Sequence, residues 1–408
     1  MVSRQPAAVW AVAFAAVVSF MGIGLVDPIL PSIADKLNAT QTQSELLFTT
    51  YLALTGVAMF FTSWVSSRIG TKKTLLIGLA IVVVFAIACG LSPAVSPIIG
   101  FRAGWGLGNA LFISTALAAI VSAASGGSAA AIVLYETALG VGMALGPLTG
   151  GLLGSLTWRA PFFGTATLMA VGFIAVAVLL HPGHNVHPEK VRISASFRAL
   201  RDPGMGTMSA AAFFYNMAFF STLAFPPFAL ARLGVHDAIT IGLVFFGWGS
   251  LLAISAVLIA PALTRVVRRT TIVIAAEGAL AVFLIGCAVF VNSVAGIMTC
   301  VILAGIPLGL LNTVLTECSM EASELPRPVA SSTYSGCRFL GGAIAPPLCT
   351  FLAGATTVWV PFIYGAAMIL VSCSIIALRR GSLARADAMQ ESDDEQRADA
   401  ALGAEIVA

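Results

Sequence analysis

Six charged residues lie in or beside long apolar runs of the sequence: Asp27, Arg102, Glu136, Glu277, Glu317 and Arg338. A charge in such a setting is expensive, so it is kept where it pairs, binds an ion or handles a proton. Glu136 has no charged neighbour in its run. It is a candidate protonatable site or a contact for a cationic substrate; a permanently protonated, hydrogen-bonded Glu is the alternative. Arg338 lies at mid-depth in its run, with Glu277 and Glu317 elsewhere in the C-terminal half, where a structural ion pair and a functional one are equally open. Tyr51, Asn109, Met143, Tyr215, Asn216, Asn312 and Tyr334 add groups able to line a cavity together with Arg338. Other chemistry is missing. The seven cysteines show no C-x-x-C or Cys/His spacing, and neither an activated Ser nor a His/Glu metal pattern is visible. The phosphate-cradling G-x-x-x-x-G-K-[ST] is absent too. The expectation is a protein without catalytic residues, metal or cofactor, and not an enzyme.

These residues need elements to hold them, and composition dictates which. Of 408 residues 59% are hydrophobic and 10% charged, with mean hydropathy +0.98; a soluble domain carries about 25% charged residues. That excludes a soluble enzyme, a disulfide scaffold, a disordered chain and a nucleic-acid binder. Twelve apolar runs long enough to span a bilayer lie at about 9–31, 44–66, 74–92, 97–121, 128–154, 160–181, 207–231, 239–263, 271–291, 295–317, 328–354 and 358–378. The first run has no A-x-A-like end and reads as a spanning helix, not a cleaved signal. With the N-terminus inside, sixteen of the 21 Lys and Arg fall on cytoplasmic segments and three outside, leaving Arg102 and Arg338 within helices. This asymmetry fits twelve spans with both termini cytoplasmic. It also puts Asp27, near the outer end of the first run, at the depth of Arg102, near the outer start of the fourth. Proton binding at Asp27 would then depend on the arginine; a static Asp–Arg pair is the alternative.

The two halves repeat each other. Tyr135–Pro147 (YETALGVGMALGP) matches Tyr334–Pro346 (YSGCRFLGGAIAP), and RIGTKKT from Arg68 matches RVVRRTT from Arg265. The sixth run opens WRAPF and the twelfth WVPF. Three matches in one order indicate duplication of a six-helix unit, and duplicated bundles place a substrate site between halves near the midplane. The expected organisation is a bundle over 1–181, a cytoplasmic loop over 182–206, a second bundle over 207–380 and a disordered cytoplasmic tail over 381–408.

Three motifs sharpen this. In the fifth run, Gly142-x-x-x-Gly146-Pro147-x-x-Gly150-Gly151 puts glycines on one helix face, where another backbone can approach, and Pro147 frees a carbonyl so the helix can bend. The loop Arg68-Ile-Gly70-Thr-Lys72-Lys73 sets a tight turn among basic residues. The fourth run carries Arg102-x-x-Trp105-Gly106-x-Gly108-Asn109-Ala110. Together these resemble the Major Facilitator Superfamily, in particular its twelve-span drug:proton antiporters, from about residue 9 to 380. The Asp27-Pro28 segment resembles the first-helix motif of those transporters. The resemblance implies an all-α membrane protein of two pseudo-symmetric six-helix bundles. It implies proton-coupled export of hydrophobic or amphipathic small molecules by alternating access, with Asp27, Arg102 and Glu136 in proton coupling and the glycine motif and basic loop governing conformation. Proton-coupled uptake of a metabolite is the alternative. Expected partners are the substrate, protons and the lipid bilayer, without nucleic acid, for a monomer in the plasma membrane of a prokaryote-like cell. One departure stands out. The family's loop begins with a Gly and carries an Asp that latches one state, and here these are Ser63 and Ser67, so a latch would have to use hydroxyls.

Overall fold

The computed structural model describes residues 5–383, apart from 27, 28, 30–32, 34, 35, 124–126 and 181–189, and also 387, 388 and 390. Asp27 and Pro28 therefore lie outside the described residues. Among those described, twelve helices are long and apolar enough to cross a bilayer. They are α1 (Ala7–Gly24), α2 (Gln41–Ile69), α3 (Thr71–Leu91), α4 (Val95–Ala123), α5 (Gly127–Gly154) and α6 (Ala160–Leu179) in the first half. The second half holds α7 (Pro203–Arg232), α8 (Ile239–Leu263), α9 (Arg269–Val289), α10 (Val294–Glu321), α11 (Arg327–Ala355) and α12 (Val360–Leu378).

Local chemistry sets several ends. Thr40 and Gln43 form a reciprocal capping box at the start of α2. Gly70, at φ 86°, is both the last cap of α2 and the first of α3, a one-residue turn that a side chain would strain. Asp202 accepts from the Met205 N–H and precedes Pro203 at the first turn of α7. Asp237 does the same for α8; hydrogen bonds from the hydroxyl and the backbone N–H of Thr240 hold its carboxyl below the usual range. Helix α7 breaks at Phe225, before Pro226, and α8 carries a π turn over Ser255–Ile259.

The packing repeats. Helix α1 lies on α5 and α6 as α7 lies on α11 and α12. Likewise α4 lies on α2 and α3 as α10 lies on α8 and α9, and α3 meets α6 as α9 meets α12. Two broad seams join the halves and are themselves a symmetric pair: α2 against α11 and α5 against α8. Lesser contacts run between α4 and α11 and between α5 and α10. The loops with Arg68, Lys72, Lys73, Arg192, Arg198, Arg265 and Arg268 cluster at one end, here called the basic end.

Beyond α12 the structure departs from a tail disordered from its first residue. Leu383 is buried. The Gln390 side chain accepts from the Arg269 N–H and donates to the carbonyls of Thr264 and Val267. Asp387 accepts from the Thr270 hydroxyl. These contacts satisfy groups at the start of α9 that its own cap, Arg268, leaves to others. Residues 391–408 lie outside the described residues.

Candidate functional site

Glu136 sits on α5, fully buried at 0% exposure, and faces the other half. Its Oε1 accepts from the Thr316 hydroxyl of α10 at 2.8 Å. Arg338 of α11 brings Nη1 to 3.7 Å from the same oxygen. This is a charge pair across the seam, too long for a tight hydrogen bond. The arginine is anchored on its own side: Nη2 donates to Asn312 Oδ1 at 2.5 Å, and the Tyr215 hydroxyl donates to that same oxygen at 2.5 Å. Thus α7, α10 and α11 fix the guanidinium, and α5 presents the carboxylate. Burying two charges is tolerable only with such partners. Tyr334 is buried one turn before Arg338.

A small cavity of about 20 Å³ adjoins the pair. Phe20 and Ile23 of α1, Leu139 and Met143 of α5, Asn216, Phe219 and Phe220 of α7, and Arg338 and Phe339 of α11 line it. That volume holds about one water, so a substrate could enter only after the halves part. Four phenylalanines and three aliphatic or thioether side chains line it, with one amide and one guanidinium. An apolar body with a single polar group matches that lining.

Arg102 is held differently. It is 0% exposed, with Nε donating to the Leu47 carbonyl and Nη1 to the Gly22 carbonyl, each at 3.3 Å. Its guanidinium carbon lies 4.3 Å from the Tyr51 ring centroid and 4.7 Å from that of Trp105. The Tyr51 hydroxyl accepts from Asn109, whose oxygen accepts from Ser19. All these groups belong to the first half.

The seams explain the motifs. A Cβ on Gly142, Gly146 or Gly150 would meet the carbonyl of Val17, Met21 or Leu25. The backbone that approaches the motif's glycine face is therefore α1, within one half. Gly151 is buried beside it. The other face of α5 carries the crossing: a Cβ on Gly140 would lie 3.0 Å from Ala253 of α8, and one on Gly242 would lie 3.2 Å from the Pro147 carbonyl. Helix α5 is thus clamped closely on both sides.

At the basic end serine hydroxyls carry part of the crossing, and Arg327 at the start of α11 donates to the Val121 carbonyl of α4 at 3.4 Å. Ser63 of α2 is hydrogen-bonded to Ser196 at 3.2 Å, and Ser196 to Ser332 of α11 at 3.0 Å. Ser196 lies in a short helix, Ala195–Ala199, inserted between the halves. Phe197 stacks on Phe60 with centroids 5.0 Å apart. Ser67 accepts from the Val191 N–H at 3.2 Å. Both serines that replace the family's loop residues are therefore used, as acceptors and donors to the connecting segment. Of the basic residues, Lys72 donates to the Ala177 carbonyl near the end of α6 at 2.7 Å, Arg68 lies 6.0 Å from the Trp64 ring centroid, and Lys73 is exposed.

Of the residues singled out in the sequence, Met143, Asn216 and Arg338 line the cavity. Tyr215 and Asn312 stand behind Arg338, and Tyr51 and Asn109 belong to the Arg102 cluster. Glu317 pairs with Arg269, which also meets Glu321, and Glu277 accepts from Ser372; neither pairs with Arg338. Sequence reasoning missed Thr316 and the phenylalanines. Helical spacing offered a signal, since Phe219 and Phe220 lie one turn from Tyr215 and Asn216, and Phe339 adjoins Arg338.

Known proteins share this architecture. The profile described as Major Facilitator Superfamily matches residues 12–346. The multidrug efflux protein YfmO of Bacillus subtilis is 46% identical over 380 residues, covering 93% of this chain and 95% of its own. The tetracenomycin C resistance and export protein of Streptomyces glaucescens is 30% identical over 177 residues, 42% of this chain and 33% of its own. The crystal structure of the human organic anion transporter MFSD10 superposes with a TM-score of 0.76 at 14% identity, over 91% of this chain and 99% of that one, a likeness of fold. With its duplicated six-helix bundles and a family match across most of its length, this multi-pass membrane protein belongs to the Major Facilitator Superfamily.

Proposed function

We propose that the protein exports apolar or amphipathic small molecules in exchange for protons, by alternating access of the cavity beside Arg338 to the two sides of the membrane. The observation that carries this reading is the Glu136–Arg338 pair across the seam, next to an aromatic cavity. The relative named as a multidrug efflux protein supports the direction. In this reading Glu136 takes up a proton and loses its hold on Arg338, which loosens the crossing between α5 and α11. A substrate that binds better when Glu136 is unprotonated must weaken proton binding by the same factor, and that reciprocity is exchange. Asp27 with Arg102 forms the second proposed proton site. The basic end faces the cytoplasm, with both termini there, in a plasma membrane, and the protein acts as a monomer with two moving bundles over 1–181 and 207–380.

Everted vesicles test this. With an acid-inside gradient, adding an exported compound should dissipate part of the gradient, and labelled compound should accumulate inside. No gradient change with any accumulated compound would sink proton coupling. A second reading, proton-coupled uptake of an anionic metabolite, draws on Arg338 lining the cavity. A substrate carboxylate there would replace Glu136 as partner, so proton and anion would favour one another. Intact cells then take up the anion, and an uncoupler stops it; under the export reading an uncoupler raises the cellular content.

A further inference from the structure

Cys287 and Cys300 come together away from the seam. Cys287 lies in the last turn of α9 and Cys300 in the second turn of α10. Residues 290–293 join these helices in a tight return, at the end of the bundle opposite the basic end. The hairpin lays the two thiols against each other, in hydrogen-bonding contact. Gly286 permits the approach: a Cβ there would lie 2.9 Å from the Cys300 sulfur, so α9 and α10 are close-packed at this level. The two thiols differ in access. Cys287 is buried and Cys300 half-exposed. Phe290, Asn292 and Ser293 of the return are exposed, so the pair sits just below an open surface. Other thiols meet hydroxyls or a carboxylate: Cys349 donates to Ser221 at 3.3 Å, Cys337 bonds Ser209 and Cys373 bonds Glu277.

We propose that Cys287 and Cys300 are a redox pair, which a soluble disulfide oxidant at the outer face closes into a disulfide between α9 and α10. Sulfurs already in contact reach the bond length of about 2.05 Å by turning their side chains, with no movement of the backbone. Unequal access sets the order of events. The Cys300 thiolate attacks the oxidant's disulfide, forms a mixed disulfide and releases one thiol. Cys287 then attacks the Cys300 sulfur and releases the second. Two protein thiols are oxidised, one disulfide is reduced to two thiols, and the two thiol protons end on the released thiols. With the basic end cytoplasmic, as proposed above, the pair faces the side on which disulfides persist. The bond is a staple within the second half. It ties α10, which carries Asn312 and Thr316, to its neighbour. Its closure depends on neither the direction of transport nor proton coupling.

Peptide mapping of the full chain reads this directly. The reduced protein, purified in neutral detergent, is incubated with oxidised glutathione at mildly alkaline pH and quenched with N-ethylmaleimide. It is then digested without reductant and mapped by mass spectrometry. The wild type should give, as its main product, the two peptides linked through Cys287 and Cys300, lighter by two hydrogens than the free pair and without glutathione. Cys287→Ser removes the resolving thiol, so it should retain glutathione on Cys300 roughly tenfold more than the wild type does. Cys300→Ser should leave Cys287, which is buried, without glutathione. Each variant is first shown to melt at the wild-type temperature; should one melt lower, alanine replaces serine. The wild-type product is read without any variant. A wild type in which Cys287 and Cys300 stay unlinked overturns the proposal. So does a principal link between any other two cysteines, or a glutathione adduct on Cys300 that removal of Cys287 fails to raise.

Discussion

Two buried arginines, Arg102 and Arg338, sit on helices of opposite halves and are held by different means. Arg102 is stacked between Tyr51 and Trp105 and donates to two backbone carbonyls, all on helices of its own half. Backbone carbonyls and ring faces cannot change charge, so that part of the cage is fixed. Arg338 shares Asn312 with Tyr215 and reaches across the seam to a carboxylate on α5. A carboxylate can gain a proton, so this contact can be switched. The asparagines underline the contrast. Asn109 on α4 and Asn312 on α10 occupy equivalent helices, and each bonds a tyrosine hydroxyl. The phenols come from the non-equivalent helices α2 and α7, and the arginines from α4 and α11, so the two clusters are not copies of each other; the Arg338 cluster is the one that reaches a carboxylate on the partner bundle.

The largest effect should come from breaking the switchable contact. Glu136→Gln keeps the Thr316 hydrogen bond and the side-chain shape, so the chain should fold, but the position can no longer release a proton. Proton-linked transport in everted vesicles should fall by about a hundredfold, the scale on which loss of a proton-handling side chain is felt elsewhere. Asp27→Asn, run in parallel, sharpens the comparison. If it abolishes exchange while Glu136→Gln leaves it intact, coupling lies with Asp27 and Arg102, and the contrast drawn above is reversed.

How much of this was legible beforehand follows from which contacts are local. Hydropathy and the Lys/Arg distribution are summed over whole runs, and they specified twelve helices in two halves. The spacing of Gly142, Gly146 and Gly150 is a property of one helix, and it correctly put them on one face. Their partner is a tertiary fact, and it proved to be α1. The Glu136 site was half visible. A lone Glu in an apolar run signals a function, yet its hydroxyl donor lies 180 residues away in the chain, and nothing local to Arg338 favours Glu136 over Glu277 or Glu317. The cavity's phenylalanines were hidden among 25, most of which could as well face lipid. Gln390 was invisible because it closes the start of α9 from beyond the last span.

A smaller effect tests whether the pair costs stability when broken. Glu136→Gln leaves Arg338 buried without its countercharge, which destabilises a bundle by about 3 kcal/mol. Adding Arg338→Gln removes that charge, so the double variant should recover most of the lost melting temperature and none of the proton exchange. Were transport to return with stability, the pair would be a structural strut and not a coupling device.

Arg102→Lys probes the fixed cage. The ammonium keeps the charge but loses the plane that stacks between two rings and the spaced donors that reach two carbonyls. About 2 kcal/mol of stability should be lost, read as a lower melting temperature in detergent. Transport per folded molecule should fall far less than in Glu136→Gln. A loss of exchange as deep as that variant's, at unchanged melting temperature, would make Arg102 a moving part.

The smallest effect belongs to the hydroxyl chain at the basic end, and it completes the comparison. Mid-depth contact between the halves is a charge pair, proposed above to exchange with protons; the contact through Ser63, Ser196 and Ser332 is made of hydroxyls alone. Hydroxyl bonds are worth about 1 kcal/mol each and do not titrate in the accessible range, so this end should answer to proton binding only through the helices that join it to Glu136. Ser196→Ala removes the central member of the chain and leaves the stacking of Phe197 on Phe60 in place. With two bonds lost, the basic end should then open about thirtyfold more often, measured as faster labelling of a single cysteine placed at Val191. Because the lost bonds carry no net charge, that increase should be the same in dilute and concentrated salt. A salt-dependent increase would mean that Arg327, which donates to the Val121 carbonyl across the halves, or Arg68, Lys72 or Lys73 shares in the latch, and that this end works by charge despite its serines.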